Sequence, residues 1–344
     1  MLDFSIILLE WHRENAIAHP WKKDKDPYKI WLSEVILQQT RVEQGTPYYL
    51  RFLENYPNIQ SLAEASEDEV FKLWEGLGYY SRAKNLLFTA KKIAFELKGS
   101  FPSTYEELLN LKGVGKYTAA AIASFAFNLP HAVVDGNVIR VLTRYFGIET
   151  PSDTAEGIKL IEDLAHKILN KENPGSHNQA IMDFGSMICK PQKPLCMSCP
   201  FQGTCKALQG NQEPNSFPVK KRKIQKSNLY LYYIVFIKED EIAIRKRTLK
   251  EIWPNLYEFY LIESSDVKKD PLEVSQNLNV VNVSKAYKHL LTHRNLEIYF
   301  IQCEFSGNNP QLPEGMFFTK NFTKFAFPKV LNSYIKENGL WSTK

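Results

Sequence analysis

The apolar pattern of this sequence changes once, and the change divides the chain into two parts. Up to about residue 205, apolar residues recur at spacings of three and four, and Ser66 and Thr154 stand where helix N-caps are expected. No segment of this part alternates as a strand would. The strand candidates, rich in β-branched and aromatic residues, are 229–237, 241–247, 256–263 and 296–305. The sequence therefore predicts an all-α part followed by a smaller α+β part.

The boundary between the two parts is a polar segment, 206–228, which contains proline and a basic run and has no apolar period. We interpret it as a linker. The expected organisation is a helical domain over 1–205, the linker over 206–228 and an α+β domain over 229–344. The chain of 344 residues is 44% hydrophobic and 24% charged. These values are typical of globular domains with a proper core.

The sequence also bears on the cellular location of the protein and on its association with membranes. The longest apolar runs, such as 229–237, are too short to cross a bilayer, and the N-terminal segment has no basic region typical of a signal peptide. We expect a cytoplasmic monomer with no membrane partner. The net charge of +5 is suggestive of a polyanionic partner but is weak evidence alone.

A glycine turn, Gly113-Val114-Gly115, leads directly into an alanine-rich run. Successive backbone N–H groups at a helix N-terminus favour an anion. The spacing fails the P-loop pattern, and 105–111 reads as a helix, where a dinucleotide fingerprint needs a strand. Helix, turn and helix are instead typical of a helix-hairpin-helix, which binds a nucleic-acid backbone phosphate. The alternative is a turn that merely connects two helices.

Four of the five cysteines, Cys189, Cys196, Cys199 and Cys205, lie within seventeen residues. A disulfide framework is not expected in an intracellular chain of this size. The spacing indicates a metal centre held by four thiolates. From the residues alone, zinc and iron–sulfur both remain open, because thiolates suit both metals.

Two carboxyl groups stand out as candidates for acid–base chemistry. Glu34 lies four residues after Ile30 and three before Leu37, so it shares a helix face with apolar side chains. Desolvation there should raise the pKa of Glu34, as a general acid needs, although most helical glutamates face solvent. Asp135 directly precedes a helical run, where its ordinary role is an N-cap.

Several of these segments together resemble one enzyme superfamily. Residues 111–127 and 133–144, with the four cysteines, are similar to the helix-hairpin-helix DNA glycosylases of the endonuclease III superfamily. Residues 26–42 and 76–86 resemble the MutY-type adenine DNA glycosylases within it. The resemblance covers about 1–210, and the C-terminal part resembles that family's second domain more loosely.

The resemblance implies a role for each catalytic candidate. Glu34 would protonate adenine N7, Asp135 would stabilise or capture the sugar cation after the base departs, and Asn137 would lie near the sugar. Tyr117 stands where lyase relatives carry a nucleophilic lysine, and one residue of helix turns Lys116 by about 100° away from it. A monofunctional enzyme is therefore expected. The alternative for Tyr117 is an ordinary core aromatic.

The resemblance also implies how DNA is handled. The substrate would be double-stranded DNA with adenine opposite 8-oxoguanine or guanine, and the adenine must be flipped out of the stack before it reacts. Four residues match family positions that probe or wedge the opposite strand. They are Gln39, Thr40, Leu77 and Tyr79. Leu77 and Tyr79 could equally be core residues. If the source is bacterial, such an enzyme would be nucleoid-associated.

The cofactor and the second domain follow in the same way. The cysteine spacing matches the superfamily's loop for a 4Fe–4S cluster. The segment 252–259 resembles a Trp-x-x-Leu segment of Nudix-type domains, but the Nudix metal box is missing. The family's Phe-Ser-His lesion loop reads Leu291-Thr292-His293 here. Thr292 and His293 would recognise 8-oxoguanine, and the lost phenylalanine puts the strength of that discrimination in question.

The sequence thus predicts a monofunctional adenine DNA glycosylase with a helix-hairpin-helix domain, an iron–sulfur loop and a Nudix-like α+β domain. Two alternatives stay open at this point. One is a sister mismatch glycosylase or a lyase of the same superfamily. The other is a non-catalytic DNA-binding protein with a structural metal, in which Glu34 and Asp135 are ordinary helix residues.

Overall fold

The computed structural model describes residues 2–210, 213–221, 227–248, 251–265, 267–276, 278–291, 293–305, 312–321 and 324–340. Contacts divide the chain into two compact units. The first contains Met1–Glu64 and Asn85–Arg222, and the second contains Ala65–Lys84 and Lys223–Lys344. The helical segment Ala65–Lys84 therefore groups with C-terminal residues, although it lies early in the chain.

The part of the chain up to residue 210 is helical throughout its described elements. The helices are α1 (Leu2–Asn15), α2 (Pro27–Leu37), α3 (Val42–Asn55), α4 (Ile59–Glu64), α5 (Glu67–Trp74), α6 (Ser81–Lys91), α7 (Tyr105–Leu109), α8 (Lys116–Phe127), α9 (Gly136–Phe146), α10 (Ala155–Ile168), α11 (Pro174–Met187) and α12 (Lys206–Gln209). This confirms the all-α prediction for this part of the chain.

Side-chain caps fix where several of these helices begin. Ser66 and Glu69 form a reciprocal capping box at α5, and Thr154 accepts the backbone N–H of Gly157 at α10. Both predicted caps are confirmed. Asp26 caps α2 ahead of a proline at its first position, and Asp135 caps α9.

The core of the first unit lies between α1, α8, α9, α10 and α11. Alanines such as Ala121 let α8 approach its neighbours closely, and the ring of Phe4 stacks on Phe201 with centroids 4.7 Å apart. Burial of these apolar faces is the main source of the unit's stability. The same packing places the N-termini of α8 and α9 beside α2.

The second unit is built on a mixed sheet. Its strands are β1 (Ser227–Lys238), β2 (Glu241–Lys246), β3 (Tyr257–Glu258), β4 (Tyr260–Ser265), β5 (Val280–Val283), β6 (Tyr287–Leu290), β7 (Arg294–Glu304) and β8 (Phe317–Thr319). The order is β3-β2-β1-β7-β5, with β4 on β1, β6 on β7 and β8 on β2. β1 and β7 are parallel, and the other pairs are antiparallel.

Two further helices belong to this unit, α13 (Pro271–Val274) and α14 (Lys329–Glu337). Alternate residues of β1 point to opposite faces of the sheet. Tyr233 packs with Phe300 and Tyr334 against α14, whereas Tyr232 stacks on Tyr299 on the other face. The α+β prediction for this part of the chain is confirmed.

Some predicted strands differ in detail. The run 256–263 was expected as one strand, but it forms β3 and β4, which pair with different neighbours. Phe259 separates them and is fully buried in the core, so its side chain fixes the break. The short strands β5, β6 and β8 were not predicted, because four or fewer residues carry little alternation.

Residues 206–210 and 213–221 of the segment 206–228 belong to the helical unit, whereas Ser227 and Asn228 already lie in β1. α12 begins directly after Cys205, and the carbonyl oxygen of Val219 accepts the backbone N–H of Ser152 at 2.9 Å. Lys221 N–H donates to the Asp153 carboxylate at 2.8 Å. Throughout the described ranges, we find no helix with the length and apolar character needed to cross a membrane.

The close approach of α9 and α11 predicts a sensitive position. A Cβ at Gly185 would lie 2.7 Å from the Cβ of Asn137. Because this Cβ is attached directly to the backbone, a change of the Asn137 rotamer would not relieve the overlap. We expect Gly185→Ala to lower the free energy of unfolding by about 1–2 kcal/mol, because overpacking outweighs the gain in helix propensity.

Urea unfolding of Gly185→Ala beside Gly203→Ala tests this prediction. A Cβ at Gly203 meets nothing within 4 Å, so that control should unfold at the midpoint of the unaltered protein. Equal stability of both variants would mean that α9 and α11 are not packed this closely.

Candidate active site

Glu34 lies on α2 among apolar neighbours. Ile30, Trp31 and Val35 of the same helix are buried, and Glu34 itself is only 7% exposed. Burial raises the pKa of the Glu34 carboxyl to about 7. A hydrogen bond from Tyr117 opposes this rise, and the nearby charge of Asp135 adds to it. A large fraction of Glu34 is therefore protonated at neutral pH.

Tyr117 occupies the first turn of α8, directly after the glycine turn. Burial raises the pKa of its phenol well above the ordinary value, and the charge of Glu34 acts in the same direction. The phenol therefore stays neutral, and its oxygen lies 3.4 Å from the Met182 Sδ. Lys116 instead points outward and pairs with Glu162 at 3.0 Å. The structure thus brings the tyrosine hydroxyl, and not the lysine amine, to Glu34.

Asp135 is held at the N-terminus of α9 by two donors. Its Oδ1 accepts the backbone N–H of Val138 at 2.8 Å, and its Oδ2 accepts the side-chain amide of Asn137 at 2.7 Å. Both donors and the start of the helix stabilise a negative charge. The cap role and a role toward a cation are compatible, because a carboxylate has further acceptor positions.

Asn137 is oriented in turn by Arg140, one helical turn further on. Arg140 Nη2 donates to Asn137 Oδ1 at 2.8 Å and to the carbonyl oxygen of Gly185 at 2.6 Å. Its Nε donates to the carbonyl oxygen of Cys189 at 2.7 Å. One buried guanidinium thus connects the Asp135 end of α9 with α11 and the cysteine segment.

A cavity of about 250 Å³ opens beside Glu34 in the first unit. It is smaller than sites for drug-sized ligands, which span roughly 300–1,000 Å³, so it suits a single heterocycle. Polar side chains with amide, hydroxyl and charged groups line much of its wall. They include Lys22, Ser33, Asn128, Asn173 and Gln179. Phe125 and Met182 supply apolar surface.

A buried ionic group that the sequence did not indicate stands behind this cavity. Asp183 is 6% exposed and accepts Lys22 Nζ at 2.7 Å and His12 Nε2 at 3.1 Å. Despite its burial, these partners hold the pKa of Asp183 below its ordinary value. Lys22 also lowers the pKa of Glu34. The partners lie more than 160 positions apart in the chain, so no local pattern predicts them.

The glycine turn joins α7 to α8 as the sequence predicts. Gly113 has φ +81, and a Cβ there would lie 2.7 Å from the Cβ of Asn85. Val114 is buried and anchors the turn, whereas Gly115 caps α8 with nothing within 4 Å of its Cβ position. The turn thus leaves the first N–H groups of α8 with an open approach.

The four wedge candidates differ in exposure. Gln39 follows α2 with φ 55, a conformation uncommon outside glycine, and the N–H of Thr40 closes that turn onto the carbonyl oxygen of Leu37. Tyr79 also has a positive φ, 49, and is 54% exposed. Leu77 is 7% exposed and lies in the core. Strained backbone of this kind is common where side chains act on a ligand.

The four cysteines share one small cavity. Cys189, Cys196, Cys199 and Cys205 are half-buried and line about 30 Å³ of apolar space. Within the described ranges, no group of three or more His, Cys, Asp and Glu side chains is arranged to hold a metal ion. Four thiols on one cavity wall are nevertheless the donor set that soft metals take. Arg144 Nη1 lies 3.5 Å from the Cys189 Sγ.

Of the two lesion-recognition candidates, His293 is described and Thr292 lies outside the described residues. His293 is exposed at the turn between β6 and β7, where Leu290 pairs with Asn295. Its carbonyl oxygen accepts the N–H of Ser227 at 3.1 Å. His293 therefore lies exposed directly before β7, where that strand pairs with β6 on one side and with β1 on the other.

Comparison with known proteins identifies the class first. Residues 32–182 match the HhH-GPD superfamily of base excision DNA repair proteins, and 232–337 match the NUDIX domain family. The solved structure of a thermostable thymine-DNA glycosylase is 29% identical, with a TM-score of 0.56 over 60% of this chain and 95% of its own. A non-covalent endonuclease III–DNA complex, 24% identical with a TM-score of 0.52, has the same fold.

Whole-chain relatives then identify the family. An adenine DNA glycosylase of Buchnera aphidicola subsp. Baizongia pistaciae is 36% identical over 86% of this chain and 85% of its own length. The adenine DNA glycosylase of Rattus norvegicus is 44% identical over 59% of this chain and 41% of its own length. The chain belongs to the adenine DNA glycosylases, enzymes of base excision repair. The predicted family, enzyme class and fold class are confirmed.

Burial of Glu34 predicts a change of stability with pH. The pKa of Glu34 is about 7 in the folded protein and 4.5 ordinarily. The contribution of Glu34 to the free energy of unfolding is therefore fully present below pH 4.5 and is lost as the pH rises through about 7. Glu34→Gln carries no such loss. We expect this variant to exceed the unaltered protein at pH 8 by about 1–3 kcal/mol and to match it near pH 4.5.

Urea unfolding at both pH values measures this difference. Glu156→Gln, at an exposed glutamate in the first turn of α10, is the matched control and should show no such dependence. A constant difference between Glu34→Gln and the unaltered protein across this range would mean that Glu34 ionises normally.

Proposed function

We propose that this chain is a monofunctional adenine DNA glycosylase that hydrolyses the N-glycosidic bond of adenine opposite 8-oxoguanine or guanine. One observation carries the proposal. A buried carboxyl, Glu34, has a pKa raised to about 7 and lines a base-sized cavity. Asp135 lies close enough for its charge to contribute to that rise. One protonated and one ionised carboxyl is the pair that glycosidic cleavage requires.

Glu34 acts as the general acid in this proposal. A flipped adenine in the cavity presents N7 to the protonated Glu34 carboxyl, and protonation makes the base a good leaving group. Such positioned acid catalysis contributes about 10²–10⁴-fold. A pKa near 7 suits the role, because the proton is present at neutral pH and is readily donated. Tyr117 holds the carboxyl in place through its hydrogen bond.

Asp135 stabilises the positive charge that develops on the sugar as the bond breaks. Asn137 holds one carboxylate oxygen, and the backbone N–H of Val138 holds the other. A fixed negative charge costs no reorganisation at the moment of reaction. Water then adds to the sugar carbon and loses a proton to the Glu34 carboxylate, which restores the acid, and the strand remains intact with an abasic site.

DNA is held by backbone and wedge contacts in this proposal. The turn Gly113-Val114-Gly115 binds a backbone phosphate at the N-terminus of α8, which supplies N–H donors and the positive end of the helix dipole. We assign Gln39 and Tyr79, both with positive φ, to probing or wedging the opposite strand. Thr40 supports Gln39, and the buried Leu77 supports the loop that carries Tyr79.

The C-terminal domain reads the base opposite adenine in this proposal. His293 stands exposed at the β6–β7 turn, and Thr292 precedes it in the sequence. We assign the helical domain to 1–205, the linker to 206–228 and this domain to 229–344. The enzyme acts as a monomer in the cytoplasm, at the nucleoid in a bacterial cell.

A 4Fe–4S cluster held by Cys189, Cys196, Cys199 and Cys205 completes the proposal. Four thiols around one apolar cavity fit it, since thiolates are the ligands of such clusters. When bound, such a cluster would join the four thiolates of the segment 189–205 and so would stabilise its fold. Arg140 and Arg144 hold the same loop through the carbonyl oxygens of Cys189 and Lys190.

The test of the proposed reaction is single-turnover base release from defined duplexes. We expect adenine release opposite 8-oxoguanine and guanine, and no release of thymine opposite guanine or of adenine opposite thymine. Glu34→Gln should lose about 10²-fold or more, because an amide cannot donate the proton. Glu156→Gln, an exposed glutamate, should react as the unaltered enzyme does. Release of thymine instead would assign the chain to a sister specificity.

The absence of a lyase step is tested separately. Strands treated with the unaltered enzyme should break only after hot alkali, and borohydride should trap little protein on DNA, because trapping needs a Schiff base. Tyr117→Lys should gain trapping, since its amine would stand beside Glu34, whereas Lys116→Ala should change nothing. Efficient trapping by the unaltered enzyme that Lys116→Ala removes would make Lys116 the nucleophile.

The cluster predicts a metal content. Anaerobically purified protein should hold about four irons per chain, as the four-thiolate ligand set implies. Cys199→Ser should lose most of the iron. Cys303→Ala, at a buried cysteine of β7 in the other compact unit, should keep it. Stoichiometric zinc with no iron would contradict the assignment.

A further inference from the structure

The loop between α5 and α6, Gly76–Tyr80, is held by hydrogen bonds from the side chains of two flanking residues. Trp74 Nε1 donates to the carbonyl oxygen of Gly78 at 3.0 Å. Arg82 Nη2 donates to the same oxygen at 3.2 Å, and its guanidinium lies 5.0 Å from the Trp74 ring. Gly76, Gly78 and Tyr79 all have positive φ, so few other conformations fit this support.

Only one aromatic side chain of this loop projects outward. Tyr79 is 54% exposed, whereas Tyr80 is 6% exposed and packs edge-on against Phe71 of α5. The Arg82 guanidinium lies 5.7 Å from the Tyr79 ring. The position of the Tyr79 side chain therefore depends on the residues that support the loop, Trp74 and Arg82.

Glu75 connects the start of this loop to the sheet domain, which is the C-terminal α+β part of the second unit. It is the last residue before Gly76 and ends α5. Its Oε1 accepts the backbone N–H of Phe327 at 2.9 Å, and its Oε2 accepts Lys72 Nζ at 2.9 Å. Lys72 Nζ also donates to the carbonyl oxygen of Phe325 at 3.0 Å. One carboxylate thus closes a bridge between α5 and the segment that precedes α14.

The far end of this bridge lies in the sheet domain's core. Phe327 is fully buried, and its ring stacks on Phe259 with centroids 6.2 Å apart. The α5–α6 loop and the β6–β7 turn with His293 therefore belong to one compact unit, although more than 200 residues separate them in sequence. Contacts at the start of α5, between Asp68 and Lys246, are exposed by comparison.

We infer that Glu75 is a positioning residue, through which contacts of the sheet domain with the base opposite adenine set the pose of Tyr79. This inference rests on the proposed function. Contacts with 8-oxoguanine increase the rate of base release only if they are energetically coupled to the residues that open the duplex. A charge-assisted pair of hydrogen bonds at the foot of the loop provides that connection. Discrimination between 8-oxoguanine and guanine then depends on Glu75 itself.

The experiment compares single-turnover adenine release opposite 8-oxoguanine and opposite guanine in the full-length enzyme. Glu75→Ala should lower the ratio of the two rates about tenfold, on the scale of ordinary coupling between sites. Release opposite guanine should stay within about twofold, and affinity for the 8-oxoguanine duplex should be kept. Glu75→Gln, which retains one acceptor oxygen, should restore part of the ratio. Asp68→Ala, at the exposed end of α5, should leave it unchanged.

A double-mutant cycle distinguishes coupling from simple support. Tyr79→Ala and His293→Ala should be non-additive in the unaltered background and additive in Glu75→Ala. An unchanged rate ratio would overturn the inference. So would equal losses on both duplexes with a lowered melting temperature, since those mark a purely structural role. If the unaltered enzyme released adenine from neither duplex, the proposed function would fail instead.

Discussion

The proposed chemistry depends on two carboxyl groups that the fold keeps in unlike surroundings. Glu34 is carried into an apolar environment by α2, and burial raises its pKa to about 7. Asp135 caps α9 and receives two N–H donors, from Val138 and Asn137, that stabilise a negative charge. Tyr117 hydrogen-bonds to Glu34 and lies close enough to both carboxyl groups for their charges to raise its pKa, because the glycine turn places it in the first turn of α8. A proton donor that lines the base-sized cavity and a carboxylate close enough to act on it electrostatically can therefore coexist at neutral pH.

Rigidity of the anionic side comes from helix α9. Its Arg140 guanidinium reaches Asn137, the carbonyl oxygen of Gly185 and that of Cys189, so the cap, α11 and the cysteine loop share one buried donor. Such a fork-shaped cation cannot be replaced by lysine without losing bonds. The cysteine loop thus contributes to the site, because the carbonyl oxygen of Cys189 helps to orient the guanidinium that binds Asn137.

Much of the fold follows from the sequence, and the exceptions have identifiable causes. The helical period and the capping residues Ser66 and Thr154 were sufficient for the helices, and Asp135 was recognisable as a cap. Local patterns do not show long-range partners, so the burial of Asp183 beneath Lys22 was missed. The buried role of Arg140 was not predicted either. The available signal was a pair of arginines four residues apart on α9, but a helical arginine ordinarily faces solvent.

The central claim is that Glu34 remains protonated close to neutral pH in the folded enzyme. The direct measurement is a carbon-13 NMR titration of protein labelled at glutamate side-chain carboxyls. Subtracting the spectra of Glu34→Gln identifies the one resonance of interest. We predict that this carboxyl titrates near pH 7, as its burial requires, while exposed glutamates titrate at about 4–5. Titration of Glu34 with the exposed glutamates would contradict the account, because the acid would then be ionised before it could protonate a base.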